Sequence, residues 1–434
     1  MHVVVIGAGI AGAATSLELL RDGHRVTILD PGEPGGEQAA SYGNGAWLGT
    51  ASVVPVSMPG LWRKVPDFLR DPLGPLAIRA SYLPQLLPWL VRFMRAGSTI
   101  AKVEATARAL RPLIADAPER HKRLADEAGA GELIERRGLL YVYPSRADFA
   151  AEALAWRLRA DNGVRWIELN EDELRQREPA LDRRYTFAVM VEDGGHCTEP
   201  GAYVTALVQH ARAAGAVLRR ERAIGFRIEG KRLAAVRTEN GEIGCDKGVI
   251  CAGAYSKPLA RAAGDRVFLE TERGYHVSIA DPGTGPRHPI MPSDTHTATT
   301  WTRNGLRIAG QVELAGLDAA PNWKRADILR DYALRAWPAL PRDLPAERVK
   351  YWMGHRPSTP DGLPCIGVAS GSPDIVHAYG HGHIGLSAGA LTGRLAADLV
   401  SGQPPAIDPM PYAPQRFRWS SRAGPRRSNG ARAD

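Results

Sequence analysis

A glycine-rich turn that begins at residue 7, between a buried strand and a helix, constrains the fold of this chain more than any other sequence feature. The β-branched run Val3–Ile6 precedes Gly7-Ala8-Gly9-Ile10-Ala11-Gly12, and a helical stretch from Ala13 to Leu20 follows it. The run Arg25–Leu29 then predicts a second buried strand. The order of strand, turn, helix and strand is that of one βαβ unit, so the chain is expected to open with a parallel sheet.

The turn matches G-x-G-x-x-G in the structural context that makes this pattern specific for a dinucleotide. Gly7 permits the tight turn, Gly9 lets the backbone approach a pyrophosphate, and Gly12 lets the helix pack closely on the strand. Together with Ile10 and Ala11, these residues form a helix N-terminus that favours a phosphate. Asp30 ends the second strand and can accept hydrogen bonds from a ribose diol, whereas its charge would repel the 2′-phosphate of NADP. The pattern alone fits both FAD and NAD, but no second copy follows, which favours a flavoprotein.

The composition is that of a globular protein of enzyme size. The 434 residues are 44% hydrophobic and 24% charged, which excludes disorder as the main state and predicts two closely joined domains. Residues 415–434 carry six arginines and one aspartate, so this segment supplies +5 of the net charge of +8. We therefore expect a basic, disordered tail rather than a basic face on the folded domains, and nucleic acid is not an expected partner.

The four cysteines, Cys197, Cys245, Cys251 and Cys365, are widely spaced, which predicts reduced structural thiols. The sequence contains no motif for a metal site. The start of the chain lacks a basic leader, which predicts a cytoplasmic protein. The segment Pro72–Ala96 is rich in Leu, Trp, Tyr and Phe but contains arginines and prolines, so it is not expected to cross a bilayer. It fits two alternatives, a pair of short helices in the second domain or a helix on the membrane surface, which would give peripheral contact at the inner face.

Further elements follow from the apolar patterns. Helices are predicted over Ile100–Gly129, Tyr203–Ala214 and Leu386–Val400. Strands are predicted at Val217-Leu218, Lys247–Cys251, Tyr275–Ile279 and Leu306–Val312.

Three later segments, with the turn at residue 7, carry a resemblance to a known family. They are Ala40-Ser41-Tyr42-Gly43-Asn44-Gly45, Gly354-His355-Arg356-Pro357 with Thr359-Pro360-Asp361-Gly362, and Gly380-His381-Gly382-His383-Ile384-Gly385. With Asp30, this set resembles the FAD-dependent D-amino-acid oxidase superfamily, in its bacterial D-amino-acid dehydrogenase branch. Within that branch four stretches are most similar to glyphosate oxidoreductase: Val54–Gly60, Asp71–Leu76, Thr271–His276 and Ala319–Arg325.

The resemblance implies an α/β FAD-binding Rossmann-like domain with a parallel sheet, and an α+β substrate domain built on an antiparallel sheet. Flavin-contacting segments at the start, middle and end of the chain imply a discontinuous FAD-binding domain of residues 1–60, 197–262 and 350–412. Residues 61–196 and 263–349 would then form the substrate domain. The cofactor is expected to contact residues in all three FAD-binding segments: Gly7, Gly9, Ile10, Ala11, Gly12, Asp30, Ser41, Asn44, Gly45, Ala252, Gly253, Gly382, His383, Ile384 and Gly385.

Three side chains are expected to act on the substrate. Arg356 lies in a turn stiffened by Pro357, and its planar guanidinium can bind a carboxylate through two hydrogen bonds. In the family that the chain resembles, the arginine at the matching position binds the substrate carboxylate, and the resemblance implies this role for Arg356. Tyr275 could donate to the same carboxylate, and His383 could line the flavin or substrate pocket; packing roles are the alternatives for both. Backbone amides after Gly380 could stabilise negative charge on the reduced flavin.

These features predict oxidation of an amino or imino acid, with hydride transfer from Cα to flavin N5 and hydrolysis of the imine product in water. The substrate would be an N-substituted glycine such as glyphosate or iminodiacetate, or a D-amino acid. A D-hydroxyproline or cyclic imino-acid dehydrogenase is the alternative, and a non-catalytic flavin-bearing subunit that binds a partner is the alternative from another class. A quinone, a protein or O₂ could accept the electrons.

Overall fold

The computed structural model describes residues 1–71 and 73–418. Its strands are β1 His2–Ile6, β2 Arg25–Leu29, β3 Trp47–Leu48, β4 Leu76–Ile78, β5 Ile134–Glu135, β6 Leu139–Tyr143, β7 Ile167–Leu169, β8 Phe187–Val191, β9 Gly195–Cys197, β10 Val217–Arg219, β11 Ala223–Glu229, β12 Arg232–Thr238, β13 Gly241–Gly244, β14 Lys247–Ile250, β15 Glu270–Ile279, β16 Ile290–Pro292, β17 Ala298–Thr302, β18 Gly305–Leu314, β19 Val349–Ser358, β20 Cys365–Val368 and β21 Ile375–Tyr379. Its α-helices are α1 Ile10–Arg21, α2 Val65–Arg70, α3 Leu83–Ala96, α4 Ile100–Ile114, α5 Ala117–Glu127, α6 Arg146–Ala151, α7 Ala153–Asp161, α8 Glu171–Arg177, α9 Pro200–Ala213, α10 Ser256–Ala262, α11 Lys324–Ala336 and α12 Gly385–Ser401.

The predicted βαβ unit lies at the centre of a six-stranded sheet with the order β10-β2-β1-β14-β21-β20. Strands β10, β2, β1, β14 and β21 are parallel, and β20 is antiparallel to β21. Helices α1, α9 and α12 bury one face of the sheet, while the small antiparallel sheet β11-β12-β13 packs on the other. Because both faces of the sheet are covered, β1 is apolar at nearly every position. Such a continuous apolar run is usual for buried parallel strands.

The second large sheet supports the opposite side of the site. Its order is β19-β15-β18-β17-β16-β6-β8-β7, with β4 added to β18, and most of its pairs are antiparallel. Strands β15 and β19 pair over ten consecutive residues without a register shift, from Glu270 opposite Ser358 to Ile279 opposite Val349. Helix α11 covers one face of β15 and β18. The parallel sheet and the largely antiparallel sheet confirm the predicted fold class.

Two predicted helical segments differ from the structure. Ile100–Gly129 forms two helices, α4 and α5, because Pro118 lacks the amide that would continue the hydrogen bonding of α4 and instead occupies the first turn of α5. Within Pro72–Ala96 the described residues form strand β4, a 3₁₀ turn at Ala80–Tyr82 and helix α3. Leu76–Ile78 pairs in parallel with Val312–Leu314, the end of β18 that extends beyond its pairing with β17. In the described part of the chain, no helix has the length and apolar character needed to span a membrane.

The predicted domain boundaries remain predictions, but two packing contacts bear on them. Helix α5, within the segment assigned to the substrate domain, packs with α9 and α12 in the core of the parallel sheet's helical layer. Residues 415–418, assigned to the tail, are also packed on the fold: Arg416 donates from Nε and Nη2 to Asp361, and Gln415 donates to the carbonyl of Val368. Arg416 is thus neutralised by a carboxylate rather than solvated. The rest of the predicted tail, from residue 419, lies outside the described residues.

The four cysteines are all buried and free, as the sequence predicted. Burial raises the pKa of Cys197 and Cys251 to about 12, so both remain thiols at neutral pH.

Candidate active site

The turn between β1 and α1 has the close packing that its glycines predict. Gly7 has φ +109°, and a Cβ atom on it would lie 2.4 Å from the carbonyl oxygen of Cys251 at the end of β14. A Cβ atom on Gly12 would lie 1.8 Å from the carbonyl oxygen of Gly7. At Gly9 the nearest atom would be Ser41 Oγ, 3.5 Å away. Glycine is therefore required at positions 7 and 12 by the protein's own packing, whereas Gly9 borders open space at the helix start.

The N-terminus of α1 is suited to an anion. Ile10 donates its amide to Ser41 Oγ at 3.1 Å, while the amides of Ala11 and Gly12 have no acceptor among residues 1–71 and 73–418. Such first-turn amides carry the positive end of the helix dipole. The pyrophosphate of FAD fits these donors, and Ser41 is positioned to bridge the helix and the loop that follows β2.

Asp30 lies beside this turn, at the end of β2. Its Oδ2 accepts the amide of Ala8 at 2.7 Å and its Oδ1 accepts the amide of Gly32 at 2.9 Å. Burial raises the pKa of this carboxyl, and the two amide hydrogen bonds oppose the rise. Each oxygen retains a lone pair, so the carboxylate can also accept hydrogen bonds from a ribose diol.

The loop Ser41–Gly45 is fixed by the second sheet. Asn44 Oδ1 accepts the amide of Ala46 at 2.8 Å, which shapes the loop locally. Arg307 of β18, almost fully buried, donates from Nη1 to the carbonyls of Tyr42 and Asn44 at 3.0 and 3.1 Å. The carbonyl of Gly45 accepts the hydroxyl of Thr300 at 3.1 Å. The loop is thus held between the two sheets, where it can border a flavin.

Two glycine-containing turns complete the predicted FAD-binding set. Ala252 and Gly253 follow β14 and lie next to the β1–α1 turn, since the Cα of Ala252 would be 3.1 Å from a Cβ on Gly7. Gly380, with φ +92°, leaves β21 and leads through the 3₁₀ turn Gly382–Ile384 into α12, which begins at Gly385. The fold therefore brings the first, middle and last predicted segments to one region.

A cavity extends from the turn before α12 to the second sheet. Its lining includes Gly380–Ile384, Ser358–Gly362 and Glu272 of β15. His383 has accessible surface that faces this cavity. Desolvation by the surrounding protein, with a smaller effect of the nearby Arg356 charge, lowers the pKa of the His383 imidazole. His381 also lines the cavity, and its Nε2 is hydrogen-bonded with Thr392 Oγ1 of α12 at 2.9 Å.

Arg356 of β19 lies flat across β15. The position opposite its guanidinium is Gly274, where a Cβ atom would be 2.3 Å from Arg356 Cζ. Its Nη1 donates to the carbonyl of Gln311 at 3.0 Å and its Nη2 to that of Gly310 at 3.4 Å. Burial lowers the pKa of Arg356, and the charge of Glu272 opposes this effect. Arginine stays protonated in proteins, so the site contains a fixed positive charge with unused N–H groups.

Tyr275 is not brought to Arg356. In the β15–β19 register Tyr275 lies opposite Met353, so it is on the sheet face opposite to that of Glu272 and Arg356. Its hydroxyl donates to Glu313 at 2.6 Å and accepts the amide of Asn322 at 3.1 Å. Both partners belong to the side of the sheet covered by α11, so the expected contact of Tyr275 with the substrate carboxylate does not fit this arrangement.

No feature of the sequence identified Glu272 as a candidate site residue. In the register of β15 and β19 it lies opposite Arg356, and only 7% of its surface is exposed. Burial raises the pKa of its carboxyl, while the positive charge of Arg356 opposes this rise. A glutamate between Thr271 and Arg273 gives no sequence signal for burial, and only the pairing of the two strands reveals its place beside Arg356.

A second cavity shares Glu272 and Phe93 with the first. Apart from Glu272, its described lining is apolar: Leu61, Val65, Leu76, Ile78, Trp89, Leu90, Phe93, Met94, Val312 and Leu314. The two cavities together offer a polar end beside Arg356 and His383 and an apolar end beneath α3. No cluster of His, Cys, Asp or Glu able to hold a metal ion occurs among the described residues.

Comparisons with known proteins point to one family. The profile of the family described as FAD dependent oxidoreductase (DAO) matches residues 2–399. A D-amino-acid oxidase of Bradyrhizobium diazoefficiens is 59% identical over 416 residues, covering 96% of this chain and 99% of the relative. A D-amino acid dehydrogenase of Paramagnetospirillum magneticum is 31% identical, covering 94% and 96%. The crystal structure of glycine oxidase from Geobacillus kaustophilus aligns with a TM-score of 0.71 at 22% identity, covering 96% and 98%, and supports the fold.

Proposed function

The chain belongs to the DAO family of FAD-dependent oxidoreductases, and on that premise we propose that it oxidises D-amino acids whose side chains are apolar. As a member of this family it is a flavoenzyme that uses FAD and acts on CH–NH or CH–NH₂ groups of amino acids, with a small-molecule substrate and an electron acceptor as partners. The relatives named for D-amino acids support the substrate's configuration.

Arg356 would bind the substrate carboxylate. Its guanidinium is held flat by Gly274 and by the carbonyls of Gly310 and Gln311, and its remaining N–H groups are available for a charge-assisted pair of hydrogen bonds. Because the guanidinium is already positioned, little side-chain entropy would be lost on binding. The hydride acceptor for the substrate Cα–H is supplied by FAD when it is bound.

The apolar second cavity is the observation that carries the proposed side-chain preference. It begins at Glu272, the register partner of Arg356, so a substrate held by its carboxylate at Arg356 can extend its side chain between Val312 and Phe93. Burying an alkyl or aromatic side chain in such a lining contributes about 1.5–3 kcal/mol, which is roughly a 10- to 100-fold gain in affinity.

The alternatives raised by the sequence fit this site less well. The phosphonate of glyphosate or the second carboxylate of iminodiacetate would approach the Glu272 carboxyl, and like charges at short distance repel. The hydroxyl of D-hydroxyproline would enter an apolar lining without a hydrogen-bond partner, at a cost of about 1–3 kcal/mol.

The proposal is tested by anaerobic mixing of the purified flavoprotein with single substrates while the flavin absorbance is followed. The panel is D-alanine, D-leucine, D-phenylalanine, D-aspartate, L-leucine, D-hydroxyproline, iminodiacetate and glyphosate. We expect bleaching by D-leucine and D-phenylalanine at concentrations about 10-fold or more below those needed for D-alanine. Bleaching by glyphosate or iminodiacetate, with none by the apolar D-amino acids, would refute the proposal.

A further inference from the structure

We infer that the carboxylate of Glu272 binds the ammonium group of the substrate, so that Glu272 and Arg356 together form a receptor for both charges of an amino-acid zwitterion. This inference rests on the proposed function and deepens it, because it assigns a second substrate-binding side chain. An amino acid carries its carboxylate and its ammonium group on one carbon, so the receptor needs opposite charges that are close but not paired with each other.

The strand register provides this separation. Glu272 and Arg356 are directly opposite in the antiparallel pair β15–β19, so their side chains leave the same face of the sheet, with Cβ atoms about 5 Å apart. Arg356 leans over Gly274 toward the carbonyls of Gly310 and Gln311. Within the described chain, no nitrogen of Arg356 lies within 4.0 Å of a Glu272 oxygen. The two opposite charges therefore share one face of the sheet without forming an ion pair with each other.

Glu272 differs from the other buried carboxylates nearby in lacking a strong partner. Glu270, two residues earlier on the same strand, accepts hydrogen bonds from the Tyr82 hydroxyl and from the amide of Thr271. Glu313 is bound by Arg79, Arg273 and Tyr275. The corresponding cation for Glu272 is the more distant Arg356, and a buried carboxylate with so weak a partner favours a cationic ligand.

Ser358 gives a second, independent indication of a ligand at this place. It is 4% exposed, lines the same cavity as Glu272, and its Oγ has no hydrogen-bond partner among the described residues. The hydroxyl is close enough to Glu272 to lower the pKa of that carboxyl, although the two groups do not form a hydrogen bond of regular geometry. A substrate amine between Glu272 and Ser358 would satisfy both groups, since an ammonium has several donors and a hydroxyl can accept.

The charged and titratable groups around Glu272 come from three elements. They are Arg356 of β19, His381 and His383 of the turn before α12, and Asp361 of the segment after β19, which is already paired with Arg416. Because the pKa values of both histidines are lowered and Asp361 has its own cation, Glu272 is the acidic group of this cavity that remains to bind a cation.

The test compares Glu272→Gln with the matched control Glu270→Gln in the FAD-loaded enzyme. Two ligands are used: D-leucine, for which KM is measured, and 4-methylpentanoate, which is leucine without its amine, for which the inhibition constant is measured. We expect Glu272→Gln to raise KM for D-leucine about 10- to 100-fold and to leave the inhibition constant of 4-methylpentanoate unchanged or lower. Glu270→Gln should change neither constant.

The pH profile gives a readout that a structural role would not move. In the wild-type enzyme kcat/KM for D-leucine should fall on the acid side as Glu272 is protonated, at a pH above the usual carboxyl range because burial raises the pKa of Glu272. In Glu272→Gln this acid limb should be absent.

Parallel weakening of both ligands in Glu272→Gln would overturn the inference, because it would make Glu272 only a support for Arg356. An unchanged KM for D-leucine would also overturn it. Failure of the proposed function is detected by a different measurement. If the wild-type enzyme turned over none of the D-amino acids, both the proposed function and the role of Glu272 would be overturned.

Discussion

Replacing Gly274 by alanine should displace the Arg356 guanidinium without touching Arg356 itself. The new Cβ would lie 2.3 Å from Arg356 Cζ, whereas ordinary contacts begin at 3.4 Å, so the guanidinium must move by about 1 Å or more. The obstructing atoms are the end of a flexible side chain and Gly274 does not have a positive φ, so the variant should fold. A displacement of this size at a substrate-positioning group can lower the rate about 100-fold.

The assay is the steady-state oxidation of D-leucine by Gly274→Ala, with the bound FAD quantified by absorbance. We expect kcat/KM to fall about 10- to 100-fold while FAD content and the thermal midpoint of unfolding stay near the wild-type values. Gly225→Ala in β11 is the matched control, since a Cβ atom there meets nothing within 4 Å. If Gly274→Ala kept the wild-type kcat/KM, the role of the flat Arg356 guanidinium would be refuted.

Two other substitutions separate the side-chain cavity from the cofactor site. Val312→Phe adds a ring to the apolar cavity, so KM for D-leucine should rise about 10-fold while KM for D-alanine changes little; equal changes for both substrates would contradict the cavity's role. Asp30→Ala leaves the amides of Ala8 and Gly32 without their acceptor, so we expect FAD affinity to fall at least about 10-fold, measured by flavin fluorescence on dilution. An unchanged FAD dissociation constant would contradict the assignment of Asp30.

The parts of the site built from consecutive residues could be predicted from the sequence. The β1–α1 turn is an example, because the glycines at positions 7 and 12 are demanded by contacts within one βαβ unit, and the spacing of that unit is visible in the chain. The helix after Gly385 and the strands before and after the turn are likewise local, and the structure confirms them within a few residues.

The parts that depend on strand register could not be predicted. Whether Tyr275 or Glu272 shares a face with Arg356 is decided by the pairing of β15 with β19, whose partners are 70 or more positions apart in the sequence. From the sequence of Thr271–His276, Tyr275 was therefore predicted to contact the substrate. Glu272 was not predicted, because in the sequence it resembles a surface residue. The division of Ile100–Gly129 into two helices was also not predicted, although Pro118 indicates the start of a new helix because proline has no amide with which to continue the preceding one.

The central claim is that the guanidinium of Arg356 binds the substrate carboxylate, and Arg356→Lys tests it most directly. Lysine keeps the charge but lacks the planar pair of donors. Anaerobic titration with D-leucine, followed by flavin absorbance, should show that the variant retains FAD but needs about 10- to 100-fold more D-leucine for half-maximal bleaching. Bleaching of the variant at the wild-type concentration of D-leucine would contradict the account.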